Sequence, residues 1–194
     1  MTKLFKLTKH FVRGTIFRRF FYEKVKKQAL RKEKEWDEFY TSDQEKIVLN
    51  YLKGTSLNLY KDSTLSSNLY RGDFEFHEIR FINDFLQKED TFIDIGANIG
   101  YFSMIASKCV GNEGNIHSFE PTGKTYDRLL ESIKLNQANN VSAHKIALSN
   151  ISEEREFTIS NDGFDAYNSL GKPSEGSDFI KEIVLTKPLD TVIE

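Results

Sequence analysis

Hydrophobic and polar positions change their spacing several times along the 194 residues, and each change predicts an element. Between Met1 and about Lys34, Leu4, Leu7 and Phe11, and again Phe5, Val12, Ile16 and Phe20, recur at helical spacing with cations in the gaps, which predicts a basic amphipathic helix. Ser42-Asp43-Gln44-Glu45 reads as a capping box. Ile47, Val48, Tyr51 and Leu52 would lie on one face of the helix it opens, and Gly54 would stop it. Leu57 to Tyr60 alternates weakly, like a short strand, and Ser63 to Gly72 is polar and turn-rich. Asp73 reads as the cap of a second helix, in which Ile79, Ile82 and Leu86 form an apolar stripe beside Phe74, Phe81 and Phe85.

The spacing then turns from helical to continuous. Thr91 to Ile95 is almost wholly apolar, as in a buried strand of a parallel sheet. Gly96-Ala97-Asn98-Ile99-Gly100 interrupts it, and Tyr101 to Lys108 reads as a helix with Phe102, Ile105 and Ala106 inward. Asn115 to Phe119 is a second strand ending in Glu120-Pro121, and Val141 to Ile146 a third. Arg155 to Ser160 and Glu182 to Lys187 read as two short strands around a polar loop with Asn161, Gly163 and Asn168. Strands alternating with helices predict an α/β, Rossmann-like parallel sheet preceded by a helical extension. The divisions expected are 1–36, a basic helical extension; 37–90, a helical lead-in; and 91–194, the front part of a cofactor-binding domain.

Composition changes this picture at one point. A formal net charge of −2 hides a split, because residues 1–34 carry twelve of the 27 Lys/Arg and two of the 29 Asp/Glu. That leader is +10 and the remainder −12. One reading lays the leader on an anionic membrane surface, where each cation near the headgroups contributes on the order of 1 kcal/mol. The other packs its Phe side chains on the chain's own domain or a partner, with the cations solvated. Nucleic acid is disfavoured as a partner, although charge alone does not separate one phosphate from another. Cys109 is the sole cysteine, so no intrachain disulfide and no cysteine-based zinc cluster can form. No stretch reaches the roughly 18 apolar residues of a spanning helix, and no signal-peptide core is seen, so a cytoplasmic location, with peripheral membrane contact through residues 1–34, is expected.

Candidate chemistry gathers at the glycine turn. Strand, glycine turn and helix form the unit that cradles a nucleotide-like ligand: glycine lets the backbone approach closely, and the helix N-terminus would present unpaired N–H groups. Glu120, twenty residues after Gly100 at the tip of the second strand, is placed to accept from both hydroxyls of a ribose. A dinucleotide fingerprint has a glycine where Asn98 stands. Asp94, two residues before Gly96, suits a ligand carrying a cationic amine rather than phosphates. S-adenosylmethionine, with an amine, a sulfonium and a ribose, fits better than NAD.

Asp94-Ile95-Gly96-Ala97-Asn98-Ile99-Gly100-Tyr101, with Phe119-Glu120-Pro121, a helix bearing Tyr126, Leu129 and Asn136, Asn140-Val141 and Ala147-Leu148-Ser149, resembles the FkbM family of S-adenosylmethionine-dependent methyltransferases from about residue 70 onward. The resemblance implies that Asp94, Gly96, Ala97, Asn98, Gly100, Tyr101, Glu120, Ala147 and Leu148 bind the cofactor. Within that set, Asp94, Gly96, Asn98 and Gly100 would surround the methionine part, Glu120 the ribose, and Ala147 and Leu148 the adenine. It also implies O-methylation of a sugar or another small hydroxylated acceptor. The family's Lys-Ile-Asp-Val-Glu-Gly type of motif and the strands after it are not found before Glu194, which reads as a partial sequence. No metal is expected. His77, Glu78, His117, His144 and Asp165 are candidates for a base, none singled out, with His117 and His144 read as structural and Cys109 as a small core residue. Two other classes remain open: a dinucleotide-binding oxidoreductase, and a non-catalytic membrane-surface or interaction protein.

Overall fold

Ser42 ends a helix and does not begin one. In the computed structural model, which describes residues 23–72, 74–160, 168, 170 and 178–193, residues 23–41 form helix α1. Its last carbonyls are closed by side chains: the Ser42 hydroxyl donates to Phe39 O at 2.7 Å and the Thr41 hydroxyl to Asp37 O at 3.0 Å. Trp36 and Phe39 are buried and meet edge to face, 5.2 Å between centroids. Arg31–Glu35 and Lys34–Glu38 pair along the exposed side. The chain divides into two compact units, Met1–Asp43 and Gln44–Glu194, each described by itself. The apolar positions from Leu4 to Phe21 of the amphipathic leader lie outside the described residues. Among the described residues no helix is long and apolar enough to cross a membrane.

The second unit opens with a hairpin where a helix was expected. β1 (Lys46–Asn50) pairs antiparallel with β2 (Ser56–Tyr60), Val48 opposite Asn58. Ile47 and Leu49 face inward while Lys46, Val48 and Asn50 face out, a period of two that the short segment also allowed. A 3-10 turn, Leu52–Gly54, joins the strands, with Lys53 at φ 54° and Gly54 at φ 73°. The pairing partner ten residues downstream thus overrides the local helical pattern. Helix α2 (Thr64–Arg71) also corrects the expectation of a turn-rich stretch: Ser63 Oγ accepts from Ser66 N at 3.1 Å, and Leu65 and Leu69 are buried on one face. The lead-in is therefore mixed α and β. Helix α3 (Phe76–Phe85) buries Ile79 and Ile82 as expected and leaves Phe81 and Phe85 exposed, stacked at 5.1 Å. Glu75, not Asp73, holds its N-cap position; Asp73 lies outside the described residues.

Three strands form the central sheet in the order β3-β4-β5, all parallel: β3 (Thr91–Ile95), β4 (Asn115–Phe119) and β5 (Val141–His144). Helices α4 (Tyr101–Val110) and α5 (Gly123–Asn136) are the crossovers between them. This is an α/β, Rossmann-like arrangement, with Ile99, Met104, Ile105, Ile116, Phe119 and Leu129 almost fully buried in it. Beyond it, β6 (Ala147–Leu148), β7 (Glu153–Ser160) and β8 (Phe179–Lys187) make a second small sheet in the order β6-β8-β7. Glu182 of β8 accepts from the Gly123 amide at 3.0 Å, so the second sheet supplies a carboxylate to the first turn of α5.

Candidate functional site

The loop between β3 and α4 curls over the end of β4 because its amides are spent there. Gly96 N and Ala97 N both donate to Phe119 O at 2.9 Å. Asn98 N donates to Glu120 Oε2 at 3.1 Å, Ile99 N to Asn98 Oδ1 at 2.8 Å, and Gly100 N to Ala97 O at 2.8 Å. Every amide from 96 to 100 is bonded within the chain, so the unpaired N–H groups expected of the helix N-terminus are not those of the glycine loop itself. An anion would find no free donor in this loop. Asn98, at the place of the missing glycine, adopts φ 49°, which asparagine tolerates.

The two glycines serve different ends. A Cβ on Gly96, at φ 78°, would meet nothing within 4 Å, so this position opens on free space. A Cβ on Gly100, at φ 87°, would stand 2.8 Å from Leu129 Cδ1. Gly100 is therefore small because α5 crosses it.

Glu120 is 6% exposed and held by three donors: Thr122 N at 3.1 Å and Thr122 Oγ1 at 2.7 Å on Oε1, and Asn98 N on Oε2. Its own amide donates to His144 O at 3.1 Å. The carboxylate lies where the sequence places it, at the tip of β4 and against the glycine loop. Asp94 differs. Its side chain points under α4, where Ser103 Oγ donates to Oδ2 at 2.5 Å and lies 2.7 Å from Ser118 Oγ. Burial pushes the Asp94 carboxyl up, with the Ser103 hydroxyl and amide pulling against it.

A cavity of about 220 Å³ opens beside the loop. Its apolar wall is Leu65, Phe74, Phe102, Pro121 and Phe157. Its polar positions are Glu75, Asn98, Tyr101, Glu120 and Asn168, with Gly96 and Ala97 between them. Of the sequence candidates, Gly96, Ala97, Asn98, Tyr101 and Glu120 come together here. Asp94, Gly100, Ala147 and Leu148 do not line it; Ala147 packs behind Phe157 with Val184. Two acids and no basic side chain line the cavity among the described residues. Tyr101 is 3% exposed, and its hydroxyl has no hydrogen-bond partner of good geometry although Tyr51 lies beside it. Small-molecule pockets hold roughly 300–1,000 Å³, so the cavity accommodates part of a nucleoside-sized ligand.

Sequence reasoning missed Glu75 and Phe157. No local signal marks either, because α3 packing on α4 brings in the first and the β7–β8 pairing brings in the second. Among the base candidates, His77 and Glu78 are exposed. His117 and His144 are half-buried and stacked at 5.5 Å, with Nδ1 and Nε2 3.3 Å apart. Burial and His117 push the His144 pKa down. Asp165 lies outside the described residues. None of the four described candidates lines the cavity. Cys109 is buried, with the Lys53 ammonium 3.2 Å from its sulfur. No group of three or more metal-ligating side chains occurs among the described residues.

No protein-family model matches the chain, and no curated protein matches it. Solved structures do. TYW2 of M. jannaschii in complex with AdoMet is 20% identical over 53% of this chain and 43% of its own, with a TM-score of 0.42. Trm5b of Pyrococcus abyssi is 18% identical over 58% and 34%, TM-score 0.42. A tRNA methyltransferase of M. jannaschii is 15% identical over 58% and 37%, TM-score 0.41. The chain spans less than half the length of each. Likeness of this degree leaves the reading of the site to its own residues.

Proposed function

We propose that this chain binds S-adenosylmethionine at the glycine loop and belongs to a methyltransferase of the FkbM type that acts on a small hydroxylated acceptor. The observation that carries the reading is a glycine turn whose amides from 96 to 100 are all bonded within the chain, facing a cavity that has two carboxylates and no basic side chain among the described residues. Such a site repels a pyrophosphate and suits a ligand that has a diol and positive charge. The dinucleotide reading is disfavoured on the same ground.

The residues present fit this ligand. Glu120 would hold the ribose hydroxyls, and Gly96, Ala97, Asn98 and Tyr101 would face the amino-acid part. Asp94 and Gly100 support the loop from behind, and Ala147 backs the wall formed by Phe157, while Leu148 follows it in β6. When bound, S-adenosylmethionine supplies a methyl group activated by its sulfonium. The chain's share is alignment and exclusion of water, for which Phe74, Phe102 and Phe157 provide apolar surface. The acceptor class follows from the resemblance; the −12 charge outside residues 1–34 favours a small molecule over a polyanion such as the tRNA named for one of the solved structures.

Titration calorimetry on the full chain tests the reading. S-adenosylmethionine binds the wild type, and Glu120→Gln weakens it roughly tenfold or more, as expected for a lost charged hydrogen-bond acceptor. Absence of binding to the wild type, or equal binding by Glu120→Gln and Glu120→Ala, contradicts it.

A further inference from the structure

Glu75 is an acid that serves no visible structural purpose. It stands before α3 at φ 44°, ψ 48°, a left-handed backbone unfavourable for any residue with a Cβ, and its side chain caps nothing. No hydrogen bond or ion pair engages its carboxylate among the described residues. It lines the same cavity as Glu120. Burial and the charge of Glu78 push its carboxyl up, so the free protein does not favour its charge. Its charge also reaches the buried Tyr101 phenol: burial, then Tyr51, then Glu75 hold that hydroxyl protonated. The Glu75 carboxylate and the Tyr101 hydroxyl, with Tyr51 beside it, therefore line the cavity on the α3–α4 side, with Glu120 on the β4 side.

A ligand with a ribose at one end and an α-amino acid at the other needs a negative group at each place. Asp94, the sequence's candidate for the amine, is engaged by Ser103 under α4. We infer that Glu75 is the counter-ion of the ligand's ammonium group, with the Tyr101 hydroxyl as its polar neighbour; the inference rests on the ligand being S-adenosylmethionine. The left-handed backbone at Glu75 then keeps an exposed acid in the cavity lining at the start of a helix.

Three ligands separate the contacts. S-adenosylmethionine and S-adenosylhomocysteine both carry the ammonium; methylthioadenosine keeps the ribose and lacks the amino acid. On the full chain, Glu75→Gln weakens the first two roughly tenfold and leaves methylthioadenosine within about twofold. Glu75→Gly, which removes the carboxylate and relieves the backbone, gives the same loss with a melting temperature at or above wild type. Variants that bind S-adenosylmethionine as the wild type does overturn the assignment, as does an equal loss of methylthioadenosine. A loss confined to S-adenosylmethionine also overturns it, by moving the contact to the sulfonium. A wild type that binds none of the three overturns the ligand reading itself, and this assignment with it.

Discussion

At Gly96 and Gly100 the same left-handed backbone answers two different demands, and substitution should separate them. Alanine at either position meets a φ that costs about 1–2 kcal/mol for a residue with a Cβ. At Gly96 the cost ends there, since the new methyl group projects into open space. At Gly100 it also strikes Leu129 Cδ1 2.8 Å away, so that fully buried side chain must move. Denaturant unfolding should therefore show Gly100→Ala losing about 1–3 kcal/mol more than Gly96→Ala. Equal losses would remove the packing role of Gly100. Asp94 offers a second test. Its folded pKa lies above the ordinary carboxylate value because of burial, so its stabilising contribution is present at low pH and is lost as pH rises through the folded pKa. Asp94→Asn should melt higher than wild type at pH 7, with the gap closing as pH falls. A variant that melts lower at pH 7 would show that the charged form is the one the fold wants.

Among the elements, the hairpin β1–β2 and helix α5 are joined by polar contacts that sequence did not foretell. Glu131 of α5 accepts from Lys46, from Asn58 Nδ2 at 3.0 Å and from the Tyr60 hydroxyl at 2.8 Å. Arg128 lies over the Tyr60 ring, 3.9 Å from its centroid, and also pairs with Asp62. The Lys46 hydrogen bond holds the Glu131 carboxyl below its usual value; for Asp62, burial opposes the shift and Lys124 and Arg128 outweigh it. Groups depressed in the folded state stabilise above their unfolded pKa and lose that contribution as pH falls through the folded one. The double variant Glu131→Gln, Asp62→Asn should melt below wild type at pH 7, and the difference should shrink as pH falls through the two depressed folded pKa values. A difference that persists in acid would mean that the contacts act by packing. β3, its loop and β4 were legible because their signals are local: an apolar run, glycines at fixed spacing, an acid at a strand tip. β1 was not, because five residues with Ile47, Val48 and Leu49 satisfy both periods until β2 is known to lie beside them. The side of the sheet on which Asp94 lies was legible in principle, since its neighbours Ile93 and Ile95 must take the other face. Glu75 was not, because only the packing of α3 brings it to the loop.

For the molecule as a whole, charge and pocket tell one story. The residues after the leader carry −12, and two of those acids, with no basic side chain among the described residues, line the cavity. Both features favour ligands of positive charge and should make binding of S-adenosylmethionine weaken with salt more than binding of methylthioadenosine. The central claim is that this glycine turn takes a ribose ligand without phosphates. Parallel calorimetric titrations of the full chain with S-adenosylhomocysteine and NAD, in one buffer, test it most directly. The account predicts saturable one-to-one binding of S-adenosylhomocysteine and no detectable heat of binding for NAD; NAD binding as tightly as S-adenosylhomocysteine would contradict it.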